Sequence, residues 1–306
     1  MQKLPHIAGI AFAVIFGLTF MFSKTVLDSG LSPIGLIAYR YLIAWIAFEL
    51  FRRFKIVSIN LNKDNLKPLI IVGVFQPILY FLFETYGLAR TTSAEAGMMI
   101  ALIPIFATIL SAIILKEKPK LIQVFFIILS VSGVIFIQVF NMRSGLEIQV
   151  MGLFLLLLAV LSAAFFNIAS RNASKAFTAK EITYFMMLMG AVSFNVIYIF
   201  SLLTRGEIHL YVTNLFAIEL ILPLLFLGVV ASIGAFFLVN YALSKLEVHI
   251  SSIYANLSTI IAVLAGAVFL NERIYYYHYI GALMIVVGVY GTVQFNRKNK
   301  RLKSLQ

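Results

Sequence analysis

Apolar runs of roughly twenty residues follow one another along almost the whole chain, interrupted only by short polar breaks. A helix rises about 1.5 Å per residue, so roughly twenty mostly apolar residues cross a bilayer core. Only 12% of the 306 residues are charged and 62% are hydrophobic, against about 25% charged in an ordinary soluble domain. The chain therefore reads as an all-α membrane protein. Apolar length and breaks place helices near 5 to 27, 33 to 52, 67 to 87, 94 to 115, 120 to 140, 150 to 170, 180 to 203, 219 to 243, 248 to 270 and 276 to 295. That makes ten expected transmembrane helices.

The net charge of +12 does not point to nucleic acid, because five basic residues sit in the terminal "RKNKRLK" and most others in the breaks between apolar runs. Cysteine is absent, which excludes disulfides and thiol chemistry, and four scattered histidines suggest no metal centre. A glycine-rich phosphate loop followed by Lys and Ser or Thr is missing, which argues against direct ATP drive, and no cofactor is expected. The N-terminal stretch lacks a small-residue cleavage site before Lys24 and reads as a retained first helix.

Lys and Arg are hard to translocate and accumulate on the cytoplasmic side. With ten spans and the N-terminus inside, eighteen of the 24 basic residues fall in the cytoplasm. Five fall outside (Lys24, Arg90, Arg143, Arg205 and Arg273), and Arg40 lies within a span. Gaining or losing a span would scramble this alternation, so both termini are expected in the cytoplasm.

"LKEKPK", Leu115 to Lys120, closes one apolar run, and "LNERIY", Leu270 to Tyr275, closes another 155 positions later. At that offset Tyr86–Phe140 aligns with Tyr241–Phe295 without a gap and with twelve identities, among them Glu117 with Glu272 and Gly133 with Gly288. The expected domains are two five-helix repeats, 5–140 and 150–295, followed by a basic cytoplasmic tail, 296–306. Five is odd, so the second copy enters the membrane from the opposite face. Inverted repeats with a site near the midplane are a recurrent plan of secondary transporters. The two glutamates themselves read as staples of tight turns, each carboxylate facing the free N–H groups of the helix that begins next.

The chain resembles the EamA type of the drug/metabolite transporter (DMT) superfamily over essentially its whole length. The resemblance rests on "FGLTFMFSK", "AYRYLIA", "FETYGLARTTSAEAGMMIALIPIFATILSAIILKEK" and "YALSKLEVHISSIYANLSTIIAVLAGAVFLNER". It implies a ten-helix exporter of amino acids or other small metabolites, without a nucleotide-hydrolysing domain. Phe16 stands where a tryptophan often precedes the glycine, here Gly17.

Arg40 lies about 10 Å into the second span at 1.5 Å per residue, and Glu84 lies at a comparable depth in the third. A buried cation costs about 2.5 to 3.5 kcal/mol on insertion scales, so Arg40 must face protein or a wet cavity. Two readings stand level: a fixed Arg40–Glu84 ion pair, or a cavity that uses Arg40 for a carboxylate and Glu84 for an amine or a proton. Ser252, Asn256 and Thr259 share one helical face, where small polar residues suit either packing or lining. Tyr80, Asn240, Tyr241, Tyr254 and Asn256 complete the candidate substrate-binding residues, and Pro77 and Pro104 interrupt backbone bonding inside spans. "YYYH", Tyr275 to His278, reads as an interfacial anchor.

The sole aspartates, Asp28 and Asp64, lie in loops, which leaves no catalytic constellation. The expected function is a multi-pass secondary transporter in the cytoplasmic membrane, exporting a small metabolite, with an amino acid as one candidate, by alternating access. Uptake by the same fold is the alternative, and a channel or scaffold ranks lower. Expected partners are a small-molecule substrate, the lipid bilayer, protons as one candidate coupling ion and a second copy of the chain as one option, but no nucleic acid.

Overall fold

In the computed structural model the protein is all-helical, with no strand among the described residues, which are 4–61, 65–114, 121–141, 146–245 and 248–303. The first half contains α1 (Leu4–Asp28), α2 (Pro33–Arg53), α3 (Lys67–Gly73), a π-helical segment (Val74–Leu79) and α4 (Tyr80–Leu88). It continues with α5 (Ser93–Ile100), α6 (Ile103–Ile114) and α7 (Leu121–Asn141). The second half contains α8 (Leu146–Ala173), α9 (Ala179–Arg205), α10 (His209–Leu215), α11 (Ile218–Leu225), a second π-helical segment (Phe226–Ala235) and α12 (Phe236–Lys245). It ends with α13 (Val248–Phe269) and α14 (Tyr276–Lys303). Among the described residues, six helical stretches are long and apolar enough to cross a membrane: Leu4–Asp28, Pro33–Arg53, Lys67–Leu88, Gln149–Ala173, Ala179–Arg205 and Ile218–Lys245. Four shorter apolar stretches accompany them: Ser93–Ala107, Leu121–Ile137, Leu257–Phe269 and Tyr276–Gly291.

Local chemistry sets the helix ends. Ser32 caps α2, its hydroxyl accepting from the Gly35 N–H, with Pro33 at the first position where its missing N–H costs nothing. Thr92 with Glu95 and Thr178 with Glu181 form capping boxes at α5 and α9. Gly206 ends α9 in the left-handed conformation, φ 70°. The helix expected over 94–115 breaks between Ile100 and Ile103, because Pro104 lacks the N–H that an unbroken helix would use there. The two π-helical segments were not visible in apolar periodicity, which is almost the same for α and π winding over so few residues. Helix α14 runs past the expected 295 into the basic tail, where Lys and Arg are good helix formers.

Helix directions are legible in paired side chains. At one end of the α7–α14 contact Phe140 stacks on Tyr277, and at the other Phe126 lies against Gly288 and Gly291, so the helices run antiparallel. The contact also repeats itself under the 155 offset. Ser130 donates to the carbonyl of its own counterpart Ile285 at 3.3 Å. A Cβ on Gly133 would sit 2.8 Å from the Gly281 oxygen, and one on the counterpart Gly288 would sit 2.6 Å from the oxygen of Phe126, the counterpart of Gly281. Glycine is required at both places for backbones to approach so closely. Helices α2 and α9 are likewise antiparallel, with Gly35 against Tyr198 and Glu49 bonded to Tyr184. Helices α1 and α13 run parallel, His6 bonding Tyr254 and Gly17 meeting Ile261.

Large apolar side chains cover the outside, among them Ile128, Phe200, Leu222 and Leu283, whereas Arg40, Glu84, Glu95 and Asn240 are buried inside. This inside-out polarity suits a hydrocarbon solvent. Of "YYYH", Tyr276 is exposed as an interfacial residue would be, but Tyr277 and His278 are buried, and His278 Nδ1 accepts from the Tyr275 N–H.

Glu272 departs from the sequence reading in its partner. Its carboxylate accepts from the N–H groups of Ser93 (2.7 Å) and Ala94 (3.0 Å), the first turn of α5 in the other half, rather than from α14, which follows it. Asn271 in the left-handed region, φ 53°, turns the chain back at this point. Glu117 lies outside the described residues.

Candidate solute-binding site

A partly enclosed cavity lies between the halves, lined from α1, α2, the first π-helical segment, α4, α5, α6, α8, α12 and α13. Its walls are largely aromatic: Phe12, Phe16 and Phe20 from α1, Phe81 from α4, Phe166 from α8 and Phe236 from α12.

Arg40, 1% exposed, projects into this cavity from α2. Its Nε donates to the Ser232 hydroxyl at 2.9 Å, and its guanidinium carbon lies 4.4 Å from the centre of the Phe81 ring. Ser232 belongs to the second π-helical segment and donates in turn to the Leu227 carbonyl at 2.8 Å. Ser232 thus links the cation to a backbone carbonyl of the irregularly wound segment. Stacking on Phe81 offsets part of the cost of burying the charge, since a desolvated cation–π contact contributes roughly 2 kcal/mol.

Gln76, Tyr80 and Glu84 follow one another at intervals of four along the third apolar stretch and all line the cavity. Gln76 sits in the first π-helical segment with extended dihedrals (φ −151°, ψ 116°), next to Pro77, which removes a backbone donor. One Glu84 oxygen accepts from the Thr85 hydroxyl at 3.0 Å. Ion pairs within 4.0 Å among the described residues join Lys24 to Asp28 and Glu49 to Arg52 and Arg53; Arg40 and Glu84 are not so joined. Among the described residues, the terminal nitrogens of Arg40, the second oxygen of Glu84, the Tyr80 hydroxyl and the Gln76 and Asn167 amides have no hydrogen-bond partner. None is sealed from the cavity as an orphan. The site thus presents a cation, an anion and neutral polar groups inside an aromatic box.

Of the seven residues singled out in the sequence, Arg40, Tyr80 and Glu84 line the cavity. Asn240 lies outside it, fully buried, accepting from Ser170 (2.7 Å) and donating to Thr183 (3.0 Å) across α8, α9 and α12. Tyr241 stacks on Phe237, and Tyr254 bonds His6 at 2.6 Å on the α1–α13 seam. Neither reaches the cavity lining. The Asn256 side chain lies outside the described residues. Thr259 from the same stripe donates to the Gly97 carbonyl at 2.9 Å and holds α13 to α5. Sequence reasoning missed Gln76, Asn167 and Ser232. Pro77 beside Gln76 and a lone amide at Asn167 in an apolar run were the available signals.

The sequence profile of the EamA-like transporter family matches residues 3–139 and again residues 150–294. The chain belongs to the EamA-like transporter family. Other members carry transporter names without a stated substrate. An "Uncharacterized transporter YcxC" of Bacillus subtilis (strain 168) is 35% identical over 302 residues, covering 98% of this chain and 96% of that protein. An "Uncharacterized transporter" of Archaeoglobus fulgidus is 24% identical over 264 residues, covering 86% and 90%. A solved crystal structure titled only as that of a protein shares the fold, with TM-score 0.67 at 16% identity over 96% of this chain and 98% of the other. This EamA-like chain is a multi-pass membrane protein of a transporter family, and that membership points to transport of small solutes rather than to an enzyme.

Proposed function

We propose that this protein is a secondary transporter that exports a small zwitterionic metabolite, of the amino-acid class, across the cell membrane by alternating access. In this reading ten helices cross the membrane as two inverted five-helix repeats, 5–140 and 150–295. The 296–306 tail and both termini face the cytoplasm. Four observations support it: the twofold profile match, the antiparallel and self-repeating α7–α14 contact, the irregular segment in each half, one supplying Gln76 to the cavity and the other holding Arg40 through Ser232, and the distribution of Lys and Arg. Paired interrupted helices at a repeat interface are where transporters place their substrate.

The observation that carries the substrate class is the cavity holding a cation and an anion that do not bond each other. A guanidinium with free terminal N–H groups fits a carboxylate. Glu84 accepts an ammonium through its unshared oxygen and is the group that would take up a proton in a coupled cycle. The phenylalanine walls take an apolar side chain.

Counterflow into proteoliposomes tests this with neutral amino acids and with the matched amines and acids that lack one of the two charges. Saturable exchange of the zwitterions, with the single-charge analogues at least about tenfold weaker, is expected from the loss of one charged hydrogen bond. Equal exchange of the analogues would overturn the substrate class, and no exchange at all would overturn the carrier. Imposing the gradient in each direction then establishes export or uptake.

A further inference from the structure

The "LNERIY" turn plays no part in the cavity, yet its glutamate makes the most deliberate bond between the halves at the end of the bundle that the basic residues assign to the outside. Both Glu272 oxygens are engaged by α5, one by the Ser93 N–H and one by the Ala94 N–H. The capping groups of the turn itself serve other N–H groups. The Thr92–Glu95 box already serves the Thr92 and Glu95 N–H groups of α5, and α14 has His278 for its own start. The Ser93 and Ala94 N–H groups are the first in their helix, with no intrahelical partner, and water can serve them whenever Glu272 leaves. Gln149 of α8 adds a second bond from the second half to the same turn, donating to Glu95 at 2.8 Å. Ile100, which lines the cavity, lies seven residues along α5 from Ser93, or about 10 Å at 1.5 Å per residue. The bonded turn therefore stands over the outer side of the cavity.

We propose that Glu272 is the outer gate latch: its two bonds to the start of α5 hold the cavity shut toward the outside, and the outward-facing state forms when they part. The inference rests on the carrier reading above. It explains why a carboxylate at the end of one apolar helix bonds across to the other half rather than forward to the next helix. The latch is reversible because both partners regain water on opening. Burial of the carboxylate opposes the two backbone bonds, so the closed state is not locked.

The chain has no cysteine, which allows a single reporter thiol. Ala163→Cys places one in the cavity wall. Its reaction with a membrane-impermeant thiol reagent is measured from outside and from inside, with Glu272 intact, replaced by Ala or replaced by Gln. Glu272→Ala removes both acceptors and should speed outside labelling about fivefold or more while slowing inside labelling. Glu272→Gln keeps one carbonyl acceptor and should fall between. Unchanged outside-to-inside labelling in Glu272→Ala overturns the latch, whether its melting temperature is unchanged or lowered; the latter would leave a mere turn staple. Where Glu272→Ala does not fold, Glu272→Gln labelled like the parent overturns it equally. Labelling needs no substrate, so a shifted ratio without counterflow would sink the carrier and spare the latch.

Discussion

Arg40→Gln separates the two roles that a buried cation plays. In the structure Nε is held by Ser232 at 2.9 Å and the guanidinium rests 4.4 Å from the Phe81 ring centre, while the terminal nitrogens face the cavity without a partner among the described residues. Removing the charge removes a charge-assisted bond to a substrate carboxylate, about 1.5 to 3 kcal/mol. At 1.4 kcal/mol per factor of ten, that is roughly a 10- to 150-fold rise in half-saturation. Folding responds the other way. Burying the guanidinium in the membrane costs about 2.5 to 3.5 kcal/mol before compensation, and the Gln amide can still donate to Ser232. Arg40→Gln should therefore melt at the same temperature or higher while its half-saturation for a neutral amino acid rises. Arg40→Lys keeps the charge but loses the planar fork and its Ser232 anchor, and belongs between the two. Counterflow kinetics and thermal melting of the purified variants give both readings. A half-saturation within twofold of the parent, in a normally folded Arg40→Gln, would refute the assignment of Arg40 to substrate.

The remaining expectations concern residues away from the reading of charge. Asn240→Leu leaves the hydroxyls of Ser170 and Thr183 without their buried partner, so melting should fall by the equivalent of about 1 to 3 kcal/mol while half-saturation stays constant. Gly288→Val places a side chain against the Phe126 carbonyl and should destabilise by about 1 to 3 kcal/mol through overpacking, read as a lower melting temperature.

Six helical stretches were legible because they are long, apolar and punctuated. Ser32–Pro33, Thr92 with Glu95, Thr178 with Glu181 and Gly206 mark ends that the chain states locally. Arg40 and Glu84 were legible for a similar reason: ionised groups in oil are costly, so their presence alone announces a polar interior. What they do to each other was not legible, since a pair and two separate ligands differ by a few ångströms of helix rotation. Asn240 and Tyr254 look like lining residues in the sequence and bond other side chains in the fold, because an amide or phenol is equally at home in either setting. Gln76 and Ser232 escaped notice because their importance comes from irregular winding at Val74–Leu79 and Phe226–Ala235, which hydropathy does not encode. Glu272 was read as bonding forward when it bonds across, a long-range choice that no local window contains.

Trans-stimulation tests the carrier most directly. Proteoliposomes loaded with a labelled neutral amino acid should release it faster when the same unlabelled amino acid is added outside, with a rate that saturates, because a loaded site returns through the membrane more readily than an empty one. Release that ignores the opposite compartment and rises in proportion to concentration would mean an open path through the bundle, and would contradict a single cavity shared in turn by two faces.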